Sequence, residues 1–294
     1  VGAVAILVPL LTMLWLDAEH NFGYAGLWLI PLGMLFAGAA SSEIMMLRTD
    51  QKWTPDVTAA AAGSLVAAAI MFVPVFYRKP ACPLGTWGWT AIALFAALVV
   101  VCALKMRTYR EGKDAMLPHV LFSVVYIILP LSFLLQTRLL HLDQWGVIAV
   151  LSVATIVKFS DAGAYFVGRF FGKRPMAPIL SPKKTIEGAI GGIVTAVLVA
   201  MILHFHFFPY LFGVHHAPRH AMGILTLVVY GLSITVAGIF GDLAESYLKR
   251  TAGQKDSAKW LPGLGGCLDV LDSVLWAAPV GYLWWAADAL GPAV

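Results

Sequence analysis

Long apolar stretches separated by short polar or Gly/Pro-rich breaks dominate this chain. About nine of them stand out, near residues 2–16, 24–40, 57–77, 87–104, 116–135, 145–167, 188–208, 221–241 and 271–290. A hydrocarbon core about 30 Å thick needs roughly 20 mostly apolar residues per helical span. The stretches approach that length and lack the alternation of barrel strands. The pattern predicts an all-α fold, a polytopic helical membrane protein with about nine transmembrane helices. The first run begins at Val1 without a basic leader, so it reads as a span whose preceding residues are missing, not as a cleaved signal peptide.

Composition agrees: 60% of the 294 residues are hydrophobic and 12% are charged, which excludes an ordinary soluble domain. The net charge of +4 gains meaning only from its placement. Fifteen of the 20 Lys and Arg residues fall in the second, fourth, sixth and eighth connections between the stretches. The positive-inside rule puts Lys105–Lys113, Arg169–Lys184 and Lys249–Lys259 in the cytoplasm, with the N-terminus inside and the C-terminus outside. That topology fits a bacterial inner membrane with the active site facing the cytoplasm, and the basic side would attract anionic lipid heads. Cys82, Cys102 and Cys267 are scattered, with neither a disulfide framework nor zinc spacing.

Polar chemistry is unevenly distributed. Residues 1–150 read as transmembrane scaffold helices. Pro9, Pro31, Pro74 and Pro130 can kink spans, and Gly33, Gly38 and Ala59–Ala62 permit close helix approach. No internal repeat stands out, so an inverted-repeat transporter has little support, although an ion transporter using Asp161 and Lys158 stays a competing expectation. Residues 151–294 carry three polar blocks on the predicted cytoplasmic side and are expected to hold the chemistry. His204, His206, His215, His216 and His220 fall in an outer connection and read as interfacial or solvated. Trp284, Trp285 and the other tryptophans read as interfacial anchors.

In the first block, Lys158 and Asp161 are three apart on a helix, close enough to pair. Ser160 and Asp161 are expected to line a polar cavity, with Arg169 and Lys173 near its mouth. The second block runs Ser181-Pro182-Lys183-Lys184-Thr185-Ile186-Glu187-Gly188 into an apolar helix. Ser181 is a candidate cap with Pro182 in the first turn. Two lysines beside a helix start make an anion site. Glu187 suits either a cation or a lysine.

The third block carries the densest chemistry. Asp242, Glu245, Ser246, Lys249 and Arg250 recur at three-to-four spacing, so they share a helix face. Leu261 to Gly266 forces a reversal. Asp269 and Asp272 follow on one side of the next helix. Two acids facing a third, Asp242, would repel without a cation, and hard carboxylate oxygens suit Mg²⁺ or Mn²⁺. Mg²⁺ in turn points to a nucleotide or pyrophosphate.

These residues carry a resemblance. The run Ser246-x-x-Lys249-Arg250-x-x-x-x-Lys255-Asp256-Ser257, then Leu261-Pro262-x-x-Gly265-Gly266-x-x-Asp269-x-x-Asp272-Ser273, resembles the signature of the phosphatidate cytidylyltransferase (CDP-diacylglycerol synthase) family. Asp161 to Arg169 and Ser181 to Gly188 resemble that family's upstream motifs in the same order. The resemblance implies an integral membrane enzyme that joins CTP and phosphatidic acid into CDP-diacylglycerol and releases diphosphate. It also implies Mg²⁺, a monovalent cation such as K⁺ beside it, a homodimer in the lipid bilayer and no nucleic-acid partner. Carried over by position, it implies metal ligation by Asp242, Asp269 and Asp272. Catalytic roles would fall to Lys249, Arg250, Asp269 and Asp272. Substrate binding would fall to Asp161, Arg169, Ser181, Lys183, Lys184, Thr185, Glu187, Ser246, Lys255 and Asp256.

Two positions depart from the pattern: Leu264 stands where the family usually has His, and Val270 where it usually has Arg. Those changes remove two donors beside a phosphate site, where one Arg contact is worth roughly 10³-fold or more in rate. The competing expectations are a CTP-dependent polyprenol or phytol kinase, which transfers the γ-phosphate, and a catalytically weakened, non-enzymatic relative.

Overall fold

The computed structural model describes residues 2–77, 82–108, 116–212, 224–254, 257–258 and 265–290, with side chains from Leu11 onward. Ten α-helices and one small hairpin follow each other along the chain. They are α1 (Gly2–Glu19), α2 (Leu29–Arg48), α3 (Pro55–Met71), α4 (Gly85–Thr108), α5 (Leu117–Leu140) and α6 (Gln144–Phe171), then strands β1 (Pro175–Ala177) and β2 (Ser181–Thr185). After these come α7 (Ile186–Ile202), the short α8 (Phe208–Phe212), α9 (Ile224–Thr251) and α10 (Leu268–Ala286). Seven stretches among the described residues are long and apolar enough to cross a membrane: α2, α3 with the 3₁₀ turn after it, α4, α5, α6, α7 continued through Leu211, and α9. The other two expected runs are also helices, α1 of 18 residues and α10 of 19. The protein is an all-α, polytopic integral membrane protein.

The helix starts follow local chemistry. Thr54 caps α3, accepting the Val57 N–H with Pro55 in the first turn, and Asp143 caps α6 through the Trp145 N–H. Ser181 does not cap α7 as expected. Residues Ser181–Thr185 are extended and pair antiparallel with Pro175–Ala177, and Thr185 is the cap, its Oγ1 accepting the Gly188 N–H at 3.1 Å. Pro182 excludes a helical conformation at Ser181, and a threonine hydroxyl three residues before Gly188 can reach that N–H.

The described chain divides into two compact units. The first comprises residues 1–139 and 248–271, and the second residues 140–247 and 272–294. In the first unit, small residues let α2, α3 and α4 pack closely: Gly33 faces the Phe72 ring, Gly38 faces Leu65, and Gly63 faces Val101. A fully buried ion pair, Arg138 Nε to Asp17 Oδ2 at 2.5 Å, also lies in this unit, and Asp17 accepts the Gly26 N–H as well. Arg138 therefore sits inside the last turn of α5 and not in a connection.

In the second unit α7 packs along α6. Gly163 lies against Thr195, Gly191 against Val167 and Gly192 against the Ser160 carbonyl, so side chains there would hold the helices apart. Trp284 is half-buried, and both it and Trp285 find protein partners for their ring nitrogens. Trp285 is buried and donates to Ser152 Oγ at 3.3 Å, which also lies 2.8 Å from the Tyr230 hydroxyl, while Trp284 donates to Ser233 Oγ. Burial in this unit forces each ring nitrogen to find a partner. His204 and His206 fall in a π-helical turn, Leu203–Phe207. His215, His216 and His220 lie outside the described residues.

Candidate functional site

Close α6–α7 packing brings the first two polar blocks together in the second unit. A cavity of about 550 Å³ opens between α6, the hairpin, α7 and α9. Ser160, Asp161, Tyr165 and Arg169 line it from α6, Ser181, Lys183, Lys184 and Thr185 from β2, and Asp242 from α9. Seven of the residues expected in the site, Asp161, Arg169, Ser181, Lys183, Lys184, Thr185 and Asp242, therefore share one space.

Two ion pairs lie at this cavity. Lys158 Nζ lies 3.4 Å from Asp161 Oδ2, the three-residue helical spacing at work. Lys184 forms an ion pair with Asp242. Arg169 donates from Nη1 to the Tyr165 hydroxyl at 2.8 Å. Glu187 holds neither lysine: its Oε2 accepts the backbone N–H groups of Lys173 at 3.0 Å and Arg174 at 3.1 Å, fixing the entry to the hairpin.

The same unit contains an acidic group. Asp242, Glu245 and Asp272 each offer one carboxylate oxygen, and the three oxygens lie within 4.8 Å of one another. Glu245 is 1% exposed and Asp272 5% exposed. Enclosed like charges repel strongly, whereas hard oxygens at this spacing suit a divalent cation such as Mg²⁺. The residues present fit such an ion. Asp242 and Asp272 are two of the three ligands expected. Glu245 joins them because it follows Asp242 by three residues on α9, a signal visible in the sequence but given no ligand role there.

Asp269, the third expected ligand, is held within the first unit. Its Oδ1 accepts from Lys249 Nζ at 2.6 Å, and its Oδ2 accepts from Ser257 Oγ at 2.6 Å, Gly266 N at 2.7 Å and Ser257 N at 3.1 Å. Gly265 has φ +85° and lies against that carboxylate, so only glycine suits the turn. Beside it is a group that sequence reasoning missed. Glu43 of α2 is 2% exposed, and its carboxylate accepts from Cys267 N and Leu268 N and lies 3.0 Å from Ser257 Oγ. A single acid in an apolar run was the available signal. Cys267 is buried, and burial with the nearby Glu43 charge pushes its thiol up, so it packs and does not react. Ser246 is buried in α9 and Arg250 exposed near its end. Lys255, Asp256 and Leu264 lie outside the described residues.

A profile of the Cytidylyltransferase family matches residues 3–287, nearly the whole chain. The chain belongs to the cytidylyltransferase family. Curated relatives agree in name. The phosphatidate cytidylyltransferase of Bacillus subtilis is 35% identical over 193 residues, 65% of this chain and 66% of the relative. That of Haemophilus influenzae is 37% identical over 186 residues, 62% of each. That of Helicobacter pylori is 41% identical over 135 residues, 46% of each. The aligned part thus spans between 46% and 66% of these relatives' lengths. The cavity has lysines on one wall and carboxylates on others.

Proposed function

We propose that this protein is a phosphatidate cytidylyltransferase, converting CTP and phosphatidic acid to CDP-diacylglycerol and diphosphate. The observation that carries the reading is the cavity in which Lys183, Lys184 and Arg169 share space with Asp161 and Asp242, within a chain of this family. A phosphate oxygen of phosphatidate attacks the α-phosphorus of CTP in line. A new P–O bond forms there as the bond to the β-phosphate bridge breaks, and diphosphate leaves with that electron pair. The nucleophile is already anionic, so no strong base is needed, and catalysis rests on positioning and charge neutralisation.

Lys183 and Lys184 would take the phosphates, with Ser181 and Thr185 donating beside them. Lys184 leaves Asp242 as it does so. Asp242, Glu245 and Asp272 would hold a divalent cation such as Mg²⁺, which when bound neutralises phosphate oxygens of the transferring group. Lys249, Arg250 and Asp269, with Ser246, Lys255 and Asp256, would take part in nucleotide binding and turnover, and a monovalent cation such as K⁺ would accompany the divalent one. We place the site at the cytoplasmic face of a bacterial inner membrane, on a homodimer with about nine spans per chain. The acyl chains stay in the bilayer while CTP arrives from the cytoplasm.

The test supplies purified protein with phosphatidic acid, Mg²⁺ and CTP labelled in the cytidine or at the γ-phosphate. Cytidine label in lipid is the expected result. γ-Label in lipid would mean a kinase, and no label in lipid would overturn the enzymatic reading.

A further inference from the structure

Glu43 stands near the end of α2, among residues that the hydropathy pattern marks as scaffold. An ionisable side chain in a candidate span is expensive and needs a reason. Its carboxylate turns to the start of α10, where Oε1 accepts from Cys267 N at 2.7 Å and Oε2 accepts from Leu268 N at 2.8 Å and lies 3.0 Å from Ser257 Oγ. The same Ser257 Oγ is 2.6 Å from Asp269 Oδ2. One hydroxyl thus stands between two carboxylates, its single proton going to the nearer Asp269. Gly266 lies against both Ser257 Oγ and Glu43 Oε2, and a side chain there would push them apart.

Helix starts leave backbone N–H groups without partners, and a local Ser, Thr or Asp normally satisfies one of them. Here the cap comes from more than 200 residues away in sequence. Such an arrangement adds something a local cap does not: it ties the first turn of α10, and the orientation of Asp269, to a rigid helix. We infer that Glu43 is a positioning residue for the reaction, capping the first turn of α10 so that the Asp269 it carries meets Lys249 in one geometry. The inference rests on the role given to Asp269 and Lys249 above.

The experiment compares wild type with Glu43→Gln and Glu43→Asp in detergent, by amide hydrogen exchange and by steady-state kinetics with CTP and phosphatidic acid. Glu43→Gln should raise exchange in residues 265–269 by about tenfold while other α2 and α10 peptides keep their protection. It should lower kcat by about tenfold or more with KM for CTP changed less than about threefold, because misplacement costs turnover more than ground-state binding. Glu43→Asp, which keeps the charge on a shorter arm, should recover part of kcat. If Glu43→Gln does not fold, Glu43→Asp carries the test, with a smaller rise in exchange at 265–269 and a smaller kcat loss of the same sign. Unchanged exchange in 265–269, or a higher KM with kcat intact, would overturn the inference. A wild type that makes no CDP-diacylglycerol would instead sink the cytidylyltransferase reading, and the exchange arm would still decide whether Glu43 holds this turn.

Discussion

Lys249 Nζ donates to Asp269 Oδ1 at 2.6 Å, with both side chains about seven-eighths buried. The two come from the end of α9 and the start of α10, so the pair closes the loop between them. Removing one partner leaves the other charge enclosed, which costs about 3–5 kcal/mol at full burial and less at this exposure. Asp269→Asn should leave a protein that elutes as folded in detergent yet loses about 10²-fold or more in kcat. Lys249→Ala should lower both Tm and kcat. Near-normal turnover in purified Asp269→Asn would remove Asp269 from the catalytic machinery.

The acidic group makes a separate prediction about metal. Chelation with EDTA should stop turnover, and Mg²⁺ should restore it. Glu245→Gln and Asp272→Asn should each raise the half-saturating Mg²⁺ concentration by about tenfold or more, since a divalent ion held by three carboxylates loses one charge and one donor. Titration of activity against Mg²⁺ measures this. An unchanged Mg²⁺ requirement in Glu245→Gln would return the third ligand position to another acid.

Gly163 faces Thr195 across the α6–α7 contact, with no room for a Cβ. Gly163→Val should therefore spread the two helices that carry the cavity walls. Overpacking of this kind costs about 1–3 kcal/mol, so Tm should fall by several degrees, and kcat should fall with it. Gly253→Ala, at a turn with open space but φ +65°, should lower Tm only slightly and spare activity. Thermal melts in detergent separate the two.

The Arg138–Asp17 pair predicts the opposite signature. Arg138→Ala strands a carboxylate that is fully buried, which should cost about 3–5 kcal/mol. Tm should drop sharply, while kcat of the protein that remains folded stays close to wild type. A large kcat loss at unchanged Tm would give this pair a part in the reaction.

Much of the architecture was legible in residue order because bilayer thickness imposes a length scale on apolar runs. The nine stretches all correspond to helices, and the motif residues of α6, β2 and α9 do share a cavity. Local chemistry was read less well. The helical start expected at Ser181 is a strand, because pairing with Pro175–Ala177 is a contact that periodicity does not reveal. Trp285, expected at the interface, is buried for the same reason.

By itself the amino-acid order determined that this protein spans a membrane with helices and gathers lysines and carboxylates into a few polar blocks. Both follow from solvation, since backbone and charge must be satisfied locally wherever lipid replaces water. Which acids act together was decided only by tertiary structure. Glu245 joins Asp242 and Asp272, Asp269 turns to Lys249 and Ser257, and Glu43 caps a helix more than 200 positions away. A carboxylate's partners depend on where folded helices aim it, and spacing along one helix cannot report what another brings to meet it.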